Sequence, residues 1–202
     1  MSFANKKIMY LCRQQIALNK FKAKACMSRQ VKSISSQFKK RTAALQKYNS
    51  YGSEWEKAYF DEVSGGFNVH HQKHNFAKKG GGGKVEKIVG EMLAKYNGKQ
   101  VEFLPEGEKP APDVLFDDET WDIKYIDNAN EETIRAAIRD ARKADNAIFY
   151  FTQNSKYLLL NSAINREVGR FVKGQIKKMP DIYIIDESGL LQLLWGKQKG
   201  TK

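Results

Sequence analysis

The chain has 202 residues, with 35 Lys and Arg against 23 Asp and Glu, and a formal net charge of +12. That length allows one sizeable domain plus an extension, and no apolar run approaches the ~20 residues of a membrane span. No secretory signal is seen either, because Ile8-Met9-Tyr10-Leu11-Cys12 is too short for an h-region.

The charge is unevenly placed. Residues 1–50 hold 12 Lys and Arg and no Asp or Glu, whereas residues 51–202 carry 23 of each sign. Such a segment is attracted to polyanions, either nucleic acid or an anionic membrane surface, or else stands as a solvated tail. It has no Pro or Gly, and Val31, Ile34 and Phe38 fall at helical spacing. A basic helical N-terminal extension over residues 1–50 is therefore expected. Cys12 and Cys26 both lie in it, show no metal-ligand spacing, and read as free thiols of a reducing compartment.

Asn49-Ser50-Tyr51-Gly52-Ser53 closes the extension with turn chemistry. Glu54–Val63 then puts Trp55, Ala58, Tyr59 and Val63 on one side of a helix, which predicts a short amphipathic helix. All three histidines follow, at His70, His71 and His74. His70 and His74 would share a face of a helix. Half of a zinc site, a group that meets a substrate phosphate or shuttles a proton, and a plain surface cluster all remain open. Gly80–Gly83 marks a boundary, because four glycines cost backbone entropy and rarely sit inside an element. No Gly-Lys-Ser/Thr follows at nucleotide-binding spacing, so the run reads as a flexible hinge. Residues 51–83 are expected to connect the extension to an α/β domain over residues 84–202.

Within that domain Val85, Ile88, Val89, Met92, Leu93 and Tyr96 form a helical stripe, with Glu86 at its edge and Asn97-Gly98 as the stop. Strands are predicted at Lys99–Leu104, Val114–Phe116 and Trp121–Ile126, the last two joined by a turn at Asp117–Thr120. A helix over Glu131–Ala144 and a buried strand over Ala147–Phe151 come next. A further helix, Leu159–Lys177, carries Arg166, Arg170, Lys173 and Lys177 on its outer side, the first three as candidates to contact phosphates. Ile182–Asp186 and Leu190–Trp195 read as a terminal hairpin.

The chemistry centres on Pro112-Asp113 … Trp121-Asp122-Ile123-Lys124. On a strand, Asp122 and Lys124 point to one face while Trp121, Ile123 and Tyr125 point to the other. Asp113 arrives from the paired strand. Two carboxylates can hold a hard divalent cation, and the lysine can orient water or stabilise developing negative charge.

These residues resemble the PD-(D/E)xK motif of restriction-endonuclease-like nucleases. The predicted order of helix, three strands, helix and strand is that of the same core. The second acidic residue of the motif is often Glu; here it is Asp122, with Glu119 as a rival in a shifted alignment. Phe67 … His74 … Glu86 … Gly98 … Asp113 … Asp122-Ile123-Lys124 also looks like C-terminal nuclease domains of bacterial polymorphic toxins and some phage minor head proteins. The resemblance implies a nuclease using Mg²⁺ or Mn²⁺, held by Asp113, Asp122 and Glu86, with Lys124 completing the catalytic set. It implies DNA or RNA as substrate, met by Arg166, Arg170, Lys173 and His74. It further implies an immunity protein or phage structural proteins as partners, and a cytoplasmic or virion-associated location. Two alternatives stay open: a metal-independent RNase toxin of the barnase/colicin type, and a non-catalytic nucleic-acid-binding or virion packaging protein.

Overall fold

The computed structural model describes residues 33–77, 81–107, 110–126, 130–152 and 157–196. Most of the expected basic extension, including Val31 and both cysteines, lies outside them. By its internal contacts the chain divides after Thr42. Residues 33–50 are helical (α1). Ahead of the division, Ile34 and Phe38 are exposed, and the Arg41 guanidinium stands 5.4 Å from the centre of the Phe38 ring. No helix among the described residues is long and apolar enough to cross a membrane.

From Ala43 onward, eight strands hydrogen-bond in the order in which they occur along the chain. They are β1 (Trp55–Phe60), β2 (Phe67–His71), β3 (Gln100–Phe103), β4 (Val114–Phe116), β5 (Glu119–Tyr125), β6 (Asn146–Phe151), β7 (Asp181–Asp186) and β8 (Leu191–Trp195). The pairs β2–β3, β5–β6 and β6–β7 are parallel, and the other four are antiparallel. Each parallel pair needs a crossover, and a helix supplies it. These are α2 (Gly82–Asn97), α3 (Glu131–Asp140, extended by a 3₁₀ turn at Ala141–Lys143) and α4 (Tyr157–Val172). The expected run of helix, three strands, helix and strand is thus present as α2, β3, β4, β5, α3 and β6.

Side-chain alternation on the buried strand β6 sorts the helices. Ile148 and Tyr150 face Val85, Val89 and Leu93 of α2, together with Val101, Phe103, Trp121 and Ile123. Ala147, Phe149 and Phe151 face Ile134 and Ile138 of α3 and Leu160, Ala163 and Ile164 of α4. So α2 covers one face of the sheet, and α3 and α4 cover the other.

Local chemistry sets the helix ends. Gly98 stops α2 in the left-handed region, at φ 61°. The Asn97 side chain then clamps the β7–β8 turn, donating to Gly189 O at 2.6 Å and accepting from Leu191 N at 3.2 Å. Asn130 caps α3 by accepting from Thr133 N, and Glu131 and Glu132 sit at the positive end of its dipole.

Three expectations are corrected. Glu54–Val63 is not a helix; its centre is β1, an edge strand antiparallel to β2. Its register breaks between Lys57 and Tyr59, which lets Trp55 and Phe60 both pack with Tyr48, Tyr51, Phe67 and Ala44. That irregularity erased the period-two pattern and left a false helical one. The glycine run is not a hinge at its C-terminal end, because Gly82 and Gly83 open α2. Any Cβ on Gly83 would stand 2.0 Å from the Phe76 carbonyl oxygen, so this close approach requires glycine. Finally, residues 51–83 do more than connect: they supply β1 and β2 to the same sheet.

Candidate active site

The β4–β5 hairpin positions the site. Its turn residues Asp117 and Asp118 both have positive φ, at 53° and 59°. That is the two-residue turn whose twist matches paired strands, and it fixes the register Phe116↔Glu119, Leu115↔Thr120 and Val114↔Trp121. Trp121 stacks on Phe116 at 4.1 Å and donates from Nε1 to the Phe116 carbonyl at 3.2 Å. With Trp121 and Ile123 buried on the α2 side, Asp122 and Lys124 must project on the α3 side. Tyr125, the expected third anchor, is 37 % exposed and lies at the rim.

Asp113 is held on three sides. Its N–H donates to Trp121 O (3.0 Å), its carbonyl accepts from Leu104 N (3.0 Å), and its Oδ2 accepts from Ile123 N (2.9 Å). The Asp122 side chain is fully buried. Its Oδ2 lies 2.6 Å from Lys124 Nζ, which also reaches Asp140 Oδ2 at the end of α3 (2.5 Å). Its Oδ1 lies 3.0 Å from Lys143 Nζ, and that nitrogen is 3.9 Å from Asp113 Oδ1. One ammonium reaching an oxygen of each shows that the two carboxylates converge.

The charges do not balance symmetrically. Burial first, and then the neighbouring Asp113 carboxylate, raise the Asp122 pKa well above the usual carboxylate range despite Lys124. Burial alone would lower the Lys124 pKa, but Asp122 and Asp140 outweigh it and raise it. Burial works with Asp113 on Asp122, whereas on Lys124 it is outweighed by two carboxylates, so both values rise.

Asp113 and Asp122 offer hard oxygen donors suited to Mg²⁺ or Mn²⁺. Both Asp122 oxygens are buried and accept no hydrogen bond of good alignment; they meet the Lys124 and Lys143 ammoniums and the neighbouring Asp113 carboxylate. A buried carboxylate is costly without a cation close by, and here the ammoniums of Lys124 and Lys143 meet that need. Two hard carboxylate donors side by side are chemically compatible with a divalent ion whose remaining ligands come from elsewhere.

Glu86 is placed differently from expectation. No group of three or more His, Cys, Asp or Glu side chains able to hold a metal ion occurs among the described residues. Glu86 extends from α2, on the other side of the sheet, and its Oε2 lies 3.0 Å from His74 Nε2. His74 Nδ1 donates to the Leu104 carbonyl at 2.8 Å, and its side chain is fully buried. His74 therefore presents no surface to a nucleic acid. It is a bridge that ties the segment after β2 to α2 and to the end of β3.

His70 is also buried, with its ring 4.8 Å from Phe76 and 5.1 Å from Phe103, and neither ring nitrogen has a hydrogen-bond partner. Burial, opposed by Glu56 and assisted by Lys87 and His74, lowers its pKa to about 4. An unfolded histidine titrates near 6.5, so the unfolded chain binds the proton first. The stability His70 allows is complete above pH 6.5 and is lost as pH falls from there through 4. Replacing it with the similarly shaped Phe should remove this loss, on the order of 1–3 kcal/mol. Thermal melts of wild type and His70→Phe between pH 7 and pH 4 should diverge; parallel curves would show that His70 does not titrate in that range.

The α3–α4 side holds a second charged cluster that no spacing rule in the sequence reveals. Glu167 of α4 is fully buried. Arg135 Nε, Arg142 Nη2 and Arg170 Nη1 lie 3.1, 2.7 and 3.2 Å from its oxygens, with Arg139 Nη1 at 3.7 Å. Of the expected phosphate contacts, Arg166 has a side chain 63 % exposed and pairs with Glu131, Arg170 turns to Glu167, and Lys173 lies just past the end of α4, exposed. Lys143 and Asp140 were equally hidden, because they approach the acidic pair only through the crossover from β5 to β6.

Residues 109–191 match the family described as the contact-dependent growth inhibition CdiA C-terminal domain. The matched stretch contains Asp113, Asp122, Lys124, Asp140, Lys143 and Glu167, and it agrees with the resemblance to polymorphic-toxin nucleases. No curated protein and no solved structure matches the chain.

Proposed function

We propose that this chain is a toxic effector domain that cuts nucleic acid by a metal-dependent mechanism of the PD-(D/E)xK kind. The observation that carries this reading is the convergence of Asp113 and Asp122 on one ammonium, with Lys124 seated on Asp122. A divalent cation held there by Asp113 and Asp122 would make water a better nucleophile and neutralise charge on the scissile phosphate. Asp113 is oriented by the Ile123 N–H, which leaves its Oδ1 facing Asp122. Lys124 is held by Asp122 and Asp140 and offers a fixed positive charge to the reacting phosphate. Glu86 supports the site from behind through His74 and Leu104 and does not act as a third ligand.

Burial of His70 and His74 leaves only the partly exposed His71, packed edge-on against Trp55, for the histidine-based, metal-independent alternative, which is thereby disfavoured. Arg166 and Lys173, the more exposed cations of the α4 region, are the better candidates to meet the phosphate backbone. A growth-inhibiting domain endangers the cell that makes it, so a cognate immunity protein that blocks this face is the expected partner. The substrate, DNA or tRNA, lies in the target cytoplasm.

The test is incubation of the full chain with plasmid DNA and with total tRNA, each with Mg²⁺, Mn²⁺ or EDTA. Cleavage of one substrate with either metal, and none in EDTA, is expected. Equal cleavage in EDTA would replace this reading with a metal-independent one.

A further inference from the structure

Lys143 and Lys124 both touch Asp122, yet their surroundings differ. Lys124 is fixed by strand spacing beside Asp122 and tethered at its far side by Asp140. Lys143 reaches in from the 3₁₀ turn after α3, and its ion pairs are to Asp122 at 3.0 Å and Asp113 at 3.9 Å. Its ammonium thus stands between the two carboxylates, where a shared cation would stand. A divalent ion bound about 2.0–2.6 Å from those oxygens would crowd that nitrogen, charge against charge, and both cannot hold the position. Lys143 is able to leave: its side chain is 20 % exposed, and its four-carbon stem is flexible. An ammonium that leaves two carboxylates needs another anion; Asp140, which feels the Lys143 charge, is already held by Lys124, so in this reading of the site the anion that draws Lys143 out is a phosphate of the bound strand.

We infer that Lys143 is a tethered counter-ion that occupies the cation position of the Asp113–Asp122 pair until nucleic acid draws it away, so that divalent-cation and nucleic-acid binding are coupled through this one side chain. The inference rests on the proposed nuclease reading. It explains how two buried carboxylates tolerate each other before substrate arrives. It also makes the coupling reciprocal: whatever nucleic acid does to cation affinity, the cation does to nucleic-acid affinity.

Calorimetric titration with Mn²⁺ tests it without any catalytic readout, using wild type, Lys143→Met, Lys143→Gln and Asp122→Asn. Each titration is run alone and with a short phosphorothioate oligonucleotide that resists cleavage, and a thermal melt confirms that each variant is folded. Without oligonucleotide, Lys143→Met and Lys143→Gln should bind Mn²⁺ about tenfold more tightly than wild type, within the usual range of coupling between sites. The oligonucleotide should raise wild-type affinity by a larger factor than it raises that of the two Lys143 variants, in which only the contact between phosphate and ion remains. Wild-type affinity in both variants, with binding lost in Asp122→Asn, would overturn the counter-ion role and leave the metal site standing. No Mn²⁺ binding by wild type or by either Lys143 variant would overturn the metal site as well.

Discussion

Lys124→Ala should lower the cleavage rate by about 10² or more, the scale of losing one preorganised electrostatic group, while substrate binding stays near wild type. Lys124 stands beside the buried pair and apart from the exposed cations of the α4 region, so in the proposed mechanism its loss would fall on the reacting phosphate and not on docking. Asp122→Asn should abolish metal-dependent cleavage altogether. Its stability should move in the opposite sense. The folded-state pKa of Asp122 lies above its unfolded value, so the folded chain binds the proton more tightly, and stability is lost as pH rises through the folded pKa. Asparagine cannot lose that proton, and Lys124 and Lys143 keep Asp140 and Asp113 as partners. The Tm of Asp122→Asn at pH 8 should therefore be no lower than that of wild type. Gel assays of rate and binding, with melts on the same samples, separate the two effects. Wild-type cleavage by both variants would move the site elsewhere on the chain.

Glu167→Ala should destabilise the fold by about 3 kcal/mol, because breaking a buried ion network leaves uncompensated charge behind. Here the charge left is four guanidinium groups gathered by α3, the 3₁₀ turn and α4, with Glu132 offsetting part of it. The crowding is already visible at Arg142. Its burial, with Arg170 and Arg139 nearby, lowers its pKa in spite of Glu167, and its Nε is buried without a hydrogen-bond partner. A loss of that size corresponds to a fall in Tm of roughly 6–12 °C for a chain of this length. Sulfate or phosphate should restore more of it than chloride at equal ionic strength, since an anion bound among the arginines favours the folded state. A fall below 2 °C would mean that the arginines act independently and are screened by water.

The parts of this architecture that the sequence disclosed are those governed by near neighbours. The α2 stripe, the Gly98 stop, the β4–β5 turn and the facing of Asp122 and Lys124 depend on residues within a turn or a hairpin, and all are present. Asp113 joins them because the hairpin register carries it there. Beyond that distance the pattern is silent. Trp55, Ala58, Tyr59 and Val63 imitate a helix, because β1 is an edge strand, largely exposed, with a register break that spoils alternation. Glu86 occupies the helix position that a third ligand would take, but His74 claims it, and that pairing depends on how the segment after β2 folds back. Lys143 and Glu167 acquire their roles from crossover helices packing on a sheet, which no local spacing encodes.

The sheet's strand order bears on how the domain reaches its folded state. Each of the six inner strands pairs with the strand before it and the strand after it along the chain, and the edge strands β1 and β8 pair with their one neighbour. No strand has to wait for a distant segment to be inserted between it and its neighbour. Closing the intervening loops costs entropy that grows only slowly with their length, and the crossovers are themselves helices, which form locally and shorten the search. For an α/β domain this topology keeps the mean sequence separation of contacts low, which favours fast folding. The expected route to the sheet is therefore stepwise, each strand adding to a neighbour already in place.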